Sequence, residues 1–339
     1  MMESDLDRAS AVARILAAAP VDEIARIGMG RNSRVYRVRA GGKNFALKKY
    51  PARDGDPRDR LATEVGALAL IEQAGIDEVP RVRAVDQAQG FVLMTWIEGA
   101  PIGDADDSDI DAAIAFLADI LSAGRLSGSA AQPPAAEACL SGGEIERQIR
   151  GRLARLEELA GGEPGLSLFL GAQFRPALEC ALAAAKEGCA RAGLDFHAAL
   201  DPEHRALIPA DFGFHNALRR PGGGLAFLDF EYFGWDDPAK LAADTLLHPA
   251  TALSPRARRR FRTGAERIYG KDHRFRGRLA AYLPLFGLRW AMILLNEFDP
   301  LRWRRRASAE GESWDAVKLR QLAKAKAFLA RLEDSGLGA

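Results

Sequence analysis

The chain has 339 residues, of which 48% are hydrophobic and 27% charged, and 47 basic against 46 acidic residues give a formal net charge of +1. That length suits two domains of ordinary size, and that composition excludes wholesale disorder. A charge so close to zero argues against a general nucleic-acid or membrane-surface binder, since both need a basic surplus. The first ten residues are acidic rather than basic and then apolar, so no signal peptide is expected. No apolar run is read as approaching the ~20 residues that cross a bilayer. Cys139, Cys180 and Cys189 form no CxxC pair, and Cys180 and Cys189 fall on opposite faces of an expected helix. Neither a disulfide framework nor a structural zinc site is expected, and the expected location is the cytoplasm.

In chain order, residues 22–50 read as strands. Arg34 to Arg39 is partly β-branched and aromatic, Gly41-Gly42 supplies a tight turn, and Asn44 to Lys48 returns. Asp56-Pro57 has the pattern of a helix start and Gly75 of its stop. Further strands are predicted over Arg81–Val85 and Phe91–Trp96. From Asp107 the period turns helical, with Ile110, Ile114, Leu117 and Leu121 on one face. The stretch from Ser127 to Ala135 reads as a flexible loop. Helices then run to about Gly193, broken near Gly161 to Gly165, and resume after a strand-rich island at 207–230. Ser254-Pro255 and Ser313 are good starts for two of them. The predicted class is α+β, with a small antiparallel-sheet lobe over residues 1–95 and a larger, mostly helical lobe over 96–339.

Three features on different elements carry the chemistry. Ile27 to Tyr36 includes Gly28, Gly30 and, where a third glycine would complete a GxGxxG pattern, Ser33. Glycines let a backbone approach phosphates and offer unobstructed N–H donors. Next, Glu64 lies on the inward stripe of Leu61, Val65, Leu68 and Ile71, where a carboxylate is costly unless paired. Lys48 ends a strand that should pack on that helix, and such a pair can hold an ammonium for nucleotide phosphates. Last, Pro209 to Asn216 precedes a hairpin that returns to Leu228-Asp229-Phe230. A four-residue turn with Arg220 facing Leu225 places Asn216 opposite Asp229, two oxygen donors suited to Mg²⁺. Asp211 then sits on the adjoining loop, free to accept a proton.

These motifs resemble the aminoglycoside phosphotransferase and choline kinase-like branch of the protein-kinase-like fold, over about residues 22–245. The resemblance implies a bilobal fold and transfer of the γ-phosphate of ATP or GTP, with Mg²⁺, to a hydroxyl of a sugar, amino sugar or amino alcohol. It implies that Lys48 contacts the α- and β-phosphates, that Glu64 orients it, and that Asp211 is the base. Asn216 and Asp229 would then be the metal ligands. Thr95 and Ile97, in the hinge Met94 to Ile97, would offer backbone groups to the base. Glu98-Gly99 and Asp237-Pro238 also match. Pro209-Ala210 departs from the usual His-Gly, and His215 stands where a small residue is common, a position suited to packing or capping.

The acceptor is a small molecule, with Glu231, Trp235, Asp236 and Glu297 as lining candidates alongside Asn296, Asp299 and Trp290. Carboxylates there would favour a cationic acceptor, and a tryptophan could stack on a sugar or face a quaternary amine. The arginines at 256–262 and 302–306 read as solvated helix faces, with a phosphorylated or carboxylated acceptor as the other reading. A nucleotide-binding module without phosphotransfer is the competing class, kept open by Pro209-Ala210. A protein kinase is disfavoured, because Asp237-Pro238 follows Asp229 too closely for an activation loop. No nucleic-acid or membrane partner is expected, and the oligomeric state is not read from the sequence.

Overall fold

Asp5–Leu16 forms helix α1, whose Ala9, Val12 and Ala13 recur at helical spacing and are buried. No element is expected there from the sequence, because the buried face is made of small residues. The computed structural model describes residues 5–27, 33–51, 58–251, 253–306 and 313–334. Strands β1 (Val21–Ile27), β2 (Arg34–Ala40) and β3 (Lys43–Lys49) follow, then helix α2 (Arg60–Gln73) and strands β4 (Val82–Asp86) and β5 (Phe91–Thr95). They form one antiparallel sheet in the order β1-β2-β3-β5-β4. Alternation decides its two faces. Tyr36, Val38, Ala40, Leu47, Phe91 and Leu93 pack under α1, so Lys48, the next residue after Leu47, points to the α2 side. Asp59 caps α2 by accepting from the Ala62 N–H at 3.0 Å. That corrects the start expected at Asp56-Pro57, a pair that lies outside the described residues. Gly75, at φ +74°, ends the helix as expected.

The short strand β6 (Ala100–Pro101) precedes α3 (Asp107–Ala123), which opens on a capping box made by Asp106 and Asp109. Strands β7 (Ala206–Ile208), β8 (Ala217–Arg219), β9 (Leu225–Phe227) and β10 (Gly234–Asp236) form the later island. β6, β8 and β9 pair in that order, and β7 pairs with β10. The stretch expected to be a flexible loop is ordered instead. Ser127–Ala131 is a 3₁₀ turn, and the Trp235 N–H donates to the Pro133 carbonyl at 2.9 Å while Ala135 returns a bond at 3.0 Å. Its composition is loop-like, but its backbone groups find partners far away in sequence.

Contacts divide the chain into two units. The first holds Met1–Glu137, Ala206–Trp235 and Pro255–Arg260, so the strand island groups with the N-terminal sheet. The second holds Ala138–Arg205, Asp236–Ser254 and Phe261–Ala339 and is helical. Its helices are α4 (Gly142–Leu159), α5 (Pro164–Phe169), α6 (Arg175–Arg191), α7 (Pro238–Leu247), most of α8 (Pro255–Tyr269), α9 (Phe275–Leu294), α10 (Pro300–Arg306) and α11 (Trp314–Asp334). Pro255 begins α8, and the Ser313 hydroxyl accepts from Ala316 N–H at the start of α11, as predicted. Phe275–Phe298, with mean hydropathy 1.4, is long and apolar enough by length and composition to cross a membrane, which corrects the expectation of no such run. It is the unit's central helix, packed among α4, α6, α7 and α11, and it carries Arg278 and Arg289 inward.

Candidate nucleotide and phosphoryl-transfer site

Lys48 enters a buried cluster of carboxylates from β3. Its ammonium lies 2.5 Å from Glu64 Oε2, 2.8 Å from Asp229 Oδ1 and 3.3 Å from Glu231 Oε2. Helical periodicity turns Glu64 inward, and the sheet supplies its cation. Tyr50, two residues after Lys48 and so on the same face, donates its hydroxyl to Glu64 Oε2 at 2.5 Å. The Phe230 N–H donates to the other Glu64 oxygen at 3.2 Å. Buried charge is tolerated because each oxygen has a donor. The three carboxylates raise the affinity of Lys48 for its proton despite burial. Asp229 is pushed up to about 7, by burial first and then by Glu231 and Glu64, against the pull of Lys48. Glu231 is held low by Lys48, Ser33 and Arg60, which together overcome its burial.

The hairpin register differs by one residue from the expected one. Ala217 pairs with Phe227 and Arg219 with Leu225, so Asn216 lies across from Leu228, whose N–H donates to the Asn216 carbonyl at 2.8 Å. Gly223 and Gly224, at φ +90° and +75°, allow the turn to close between the Arg220 N–H and the Gly224 carbonyl. Asp229 then follows the hairpin at φ +67°, a left-handed conformation costly for a residue with a Cβ. It reaches Lys48 by that backbone turn and not by cross-strand pairing with Asn216.

The Asp211 loop is tight. Ala210 sits at φ +58°, and the Asp211 N–H donates back to the Pro209 carbonyl at 2.7 Å, closing a three-residue turn. The Asn216 amide nitrogen donates to the Asp211 carbonyl at 2.9 Å, tying the loop to the start of the hairpin. The Asp211 side chain is one-third exposed (33%), with His215 Nε2 at 3.3 Å from its Oδ1. His215 therefore sits beside the acid instead of only packing.

Other expected residues are placed as follows. Gly28 and Gly30 lie outside the described residues. Ser33 is buried and donates to Glu231 Oε2 at 2.6 Å. Thr95 ends β5, where its N–H donates to the Arg81 carbonyl at 2.9 Å and its hydroxyl accepts from the Arg81 N–H at 2.9 Å; Ile97 follows in the chain. Glu231, proposed for the acceptor, instead joins Lys48. Trp235 donates from its indole to the Ser129 carbonyl at 3.1 Å. Asp236 and Glu297 belong to the other unit and are buried, Asp236 3.3 Å from Lys240. In that unit Trp290 donates to Asp244 at 2.9 Å, and Asp299 is 2.6 Å from Arg155. Arg260 pairs with Asp111 at 2.6 Å, Arg256 with Asp107 and Arg262 with Glu266, as solvated helix faces would. The sequence reading missed Tyr50, Arg60 and the true place of Glu231. The signals were there: Tyr50 is two residues from Lys48 on a strand, Arg60 one helical turn before Glu64, and Glu231 two past Asp229.

A sheet bearing this lysine, a helix bearing this glutamate, a hairpin followed by Asp229 and Glu231, and a mostly helical remainder fit the protein-kinase-like fold. Solved structures share it across nearly their whole length. A choline kinase from Streptococcus pneumoniae matches with TM-score 0.59 and 17% identity, covering 95% of this chain and 98% of the other. A spectinomycin phosphotransferase solved with ADP and spectinomycin matches with TM-score 0.65 and 11% identity, covering 96% and 95%. A macrolide 2'-phosphotransferase from Brachybacterium faecium matches with TM-score 0.57 and 17% identity, covering 93% and 98%. Among curated protein sequences nothing matches. Residues 23–282 match the phosphotransferase enzyme family, and the chain belongs to it. The protein is accordingly a phosphotransferase acting on an alcohol group of a small molecule.

Proposed function

We propose that the protein transfers the γ-phosphate of ATP to a hydroxyl of a sugar, amino sugar or amino alcohol, with Asp211 as the base. The observation that carries this reading is the gathering of Lys48, Glu64 and Asp229 at one point from β3, α2 and the end of the hairpin. ATP is favoured over GTP by relatives solved with ADP. The strands and helix of residues 1–95 act as the nucleotide-binding lobe, and the setting is the cytoplasm.

A divalent cation fits the donors. Oxygens of Glu64, Asp229 and Glu231 lie within 4.8 Å of one another, against the cations Lys48 and Arg60, and Asp229 is the most exposed of the three carboxylates. Asn216, with its amide nitrogen committed to the Asp211 carbonyl, offers its side-chain oxygen. Asp229 and Asn216 would hold Mg²⁺, which when bound neutralises phosphate charge. Lys48, kept protonated by its carboxylates, binds the nucleotide phosphates. Asp211 accepts a hydrogen bond from the acceptor hydroxyl and takes its proton as the phosphorus–oxygen bond forms. His215 orients that carboxylate. Of the carboxylates expected to favour a cationic acceptor, Glu231 is already paired with Lys48 and Arg60, Asp236 with Lys240 and Asp299 with Arg155, so these three lend a cationic acceptor little preference.

A screen of ADP release against neutral sugars, amino sugars, phosphosugars, amino alcohols and aminoglycosides tests the proposal. Acceptor-dependent release by the wild type, reduced at least ~10²-fold in Asp211→Ala, is expected. Release that is independent of every acceptor, or unchanged in Asp211→Ala, would favour a nucleotide-binding module without transfer.

A further inference from the structure

Ser33 is the residue through which the chain enters β2, and it stands where a third glycine would complete the glycine-rich pattern. It is 8% exposed, and its hydroxyl donates to Glu231 Oε2 at 2.6 Å. The other Glu231 oxygen accepts from Arg60 Nη1 at 3.0 Å, and Lys48 lies 3.3 Å from Oε2. Arg60 is itself held: it donates to the Tyr232 hydroxyl at 2.9 Å and lies over that ring at 5.2 Å. One carboxylate therefore joins the entry to β2, the lysine of β3 and the first turn of α2. A glycine at position 33 would supply no donor and would leave this buried carboxylate oxygen with only the longer contact to Lys48.

Resting on the reading of this cluster as the nucleotide site, we propose that Ser33 is a positioning residue for the nucleotide. Its bond to Glu231, clamped by Arg60, fixes the start of β2 against Lys48 and α2 before the nucleotide arrives. The chain then has less freedom to lose on binding, which is how preorganisation raises affinity. The serine is thus a working replacement for glycine, exchanging backbone freedom for an anchor.

Binding of Mg²⁺ with the β,γ-imido analogue of ATP, followed by titration calorimetry of the full chain, tests this. Ser33→Ala is expected to weaken binding about tenfold, the size of one charge-assisted hydrogen bond. Ser33→Thr, which keeps the hydroxyl, is expected to restore affinity to within about threefold of the wild type, a rescue that a change of side-chain volume alone would not give. Arg60→Met is expected to weaken binding as well. The double variant should lose less than the product of the two single losses, because both act through Glu231. If the wild type itself fails to bind, the nucleotide-site reading falls. If the wild type binds while Ser33→Ala stays within twofold of it, or Ser33→Thr is as weak as Ser33→Ala, that reading stands and the role of Ser33 is overturned. The serine pair decides the matter even if Arg60→Met does not fold.

Discussion

Ala210 holds φ at +58°, where its Cβ crowds the backbone, so that the Asp211 N–H can bond back to Pro209. A glycine takes that conformation without the penalty of ~1 kcal/mol or more. Ala210→Gly is therefore expected to raise the urea midpoint of unfolding while the Asp211 loop keeps its shape. An unchanged or lower midpoint would show that the turn is not strained. Asp229 gives a second expectation at this scale. With its acid pushed up to about 7, it is largely protonated in the folded, metal-free protein below that pH, although its ordinary value is near 4. Its contribution to stability is thus favourable in the acid range and is lost as pH rises through about 7. Magnesium-nucleotide binding needs the carboxylate, so affinity should fall as pH drops below 7 and binding near pH 6 should release a proton. Calorimetry in buffers of different ionisation enthalpy reads that proton, and no buffer dependence would contradict the assignment.

Among the described elements, β10 is tightly seated against backbone. A Cβ on Gly234 would lie 2.3 Å from the Pro133 carbonyl oxygen and 2.5 Å from the Ala135 nitrogen, both backbone atoms that cannot swing away. Gly234→Ala should destabilise by about 2–3 kcal/mol or more, as forced overpacking does, and a loss under ~0.5 kcal/mol would mean that the 133–135 segment yields freely. Elements whose signals are local were legible in the sequence: β2 and β3 around their glycine turn, α3 from its apolar period, α8 from Ser254-Pro255. The Lys48–Glu64 pair was legible for the same reason, because strand parity and helix period each aimed one partner inward. The hairpin register was not. Two consecutive left-handed glycines let Arg220 close on Gly224 instead of facing Leu225, and a pairing counted from a four-residue turn then slips by one. The order of the 127–135 stretch was also hidden, since its partners lie about a hundred residues away. Asp236 and Glu297 read as site residues from their charge alone, whereas both are buried in the other unit and Asp236 accepts from the Cys139 N–H, almost a hundred residues away.

At the scale of the whole molecule, chemistry is assembled from segments far apart in the chain. Lys48 and Glu64 come from the N-terminal sheet and its helix, whereas Asp211, Asn216, Asp229 and Glu231 come from the island at 206–235, and contacts unite both in one unit. The intervening helices, α4 to α6, form part of a second unit with its own buried charges, such as Arg278 on Asp237 at 2.8 Å. Asp237 also caps α7, accepting from the Ala239 N–H at 2.8 Å with Pro238 at the first helical position. That is the physical content of the Asp-Pro pair after the hairpin. Family membership, fold and local geometry agree on a small-molecule phosphotransferase. The most direct test of the proposed division of labour is a comparison of Mg²⁺-dependent nucleotide binding by the wild type, Asp211→Ala and Asp229→Ala. The account predicts that Asp229→Ala loses at least ~10-fold in affinity, as loss of a charged ligand should, while Asp211→Ala binds nearly as the wild type does. Equal binding by all three, with or without magnesium, would contradict it.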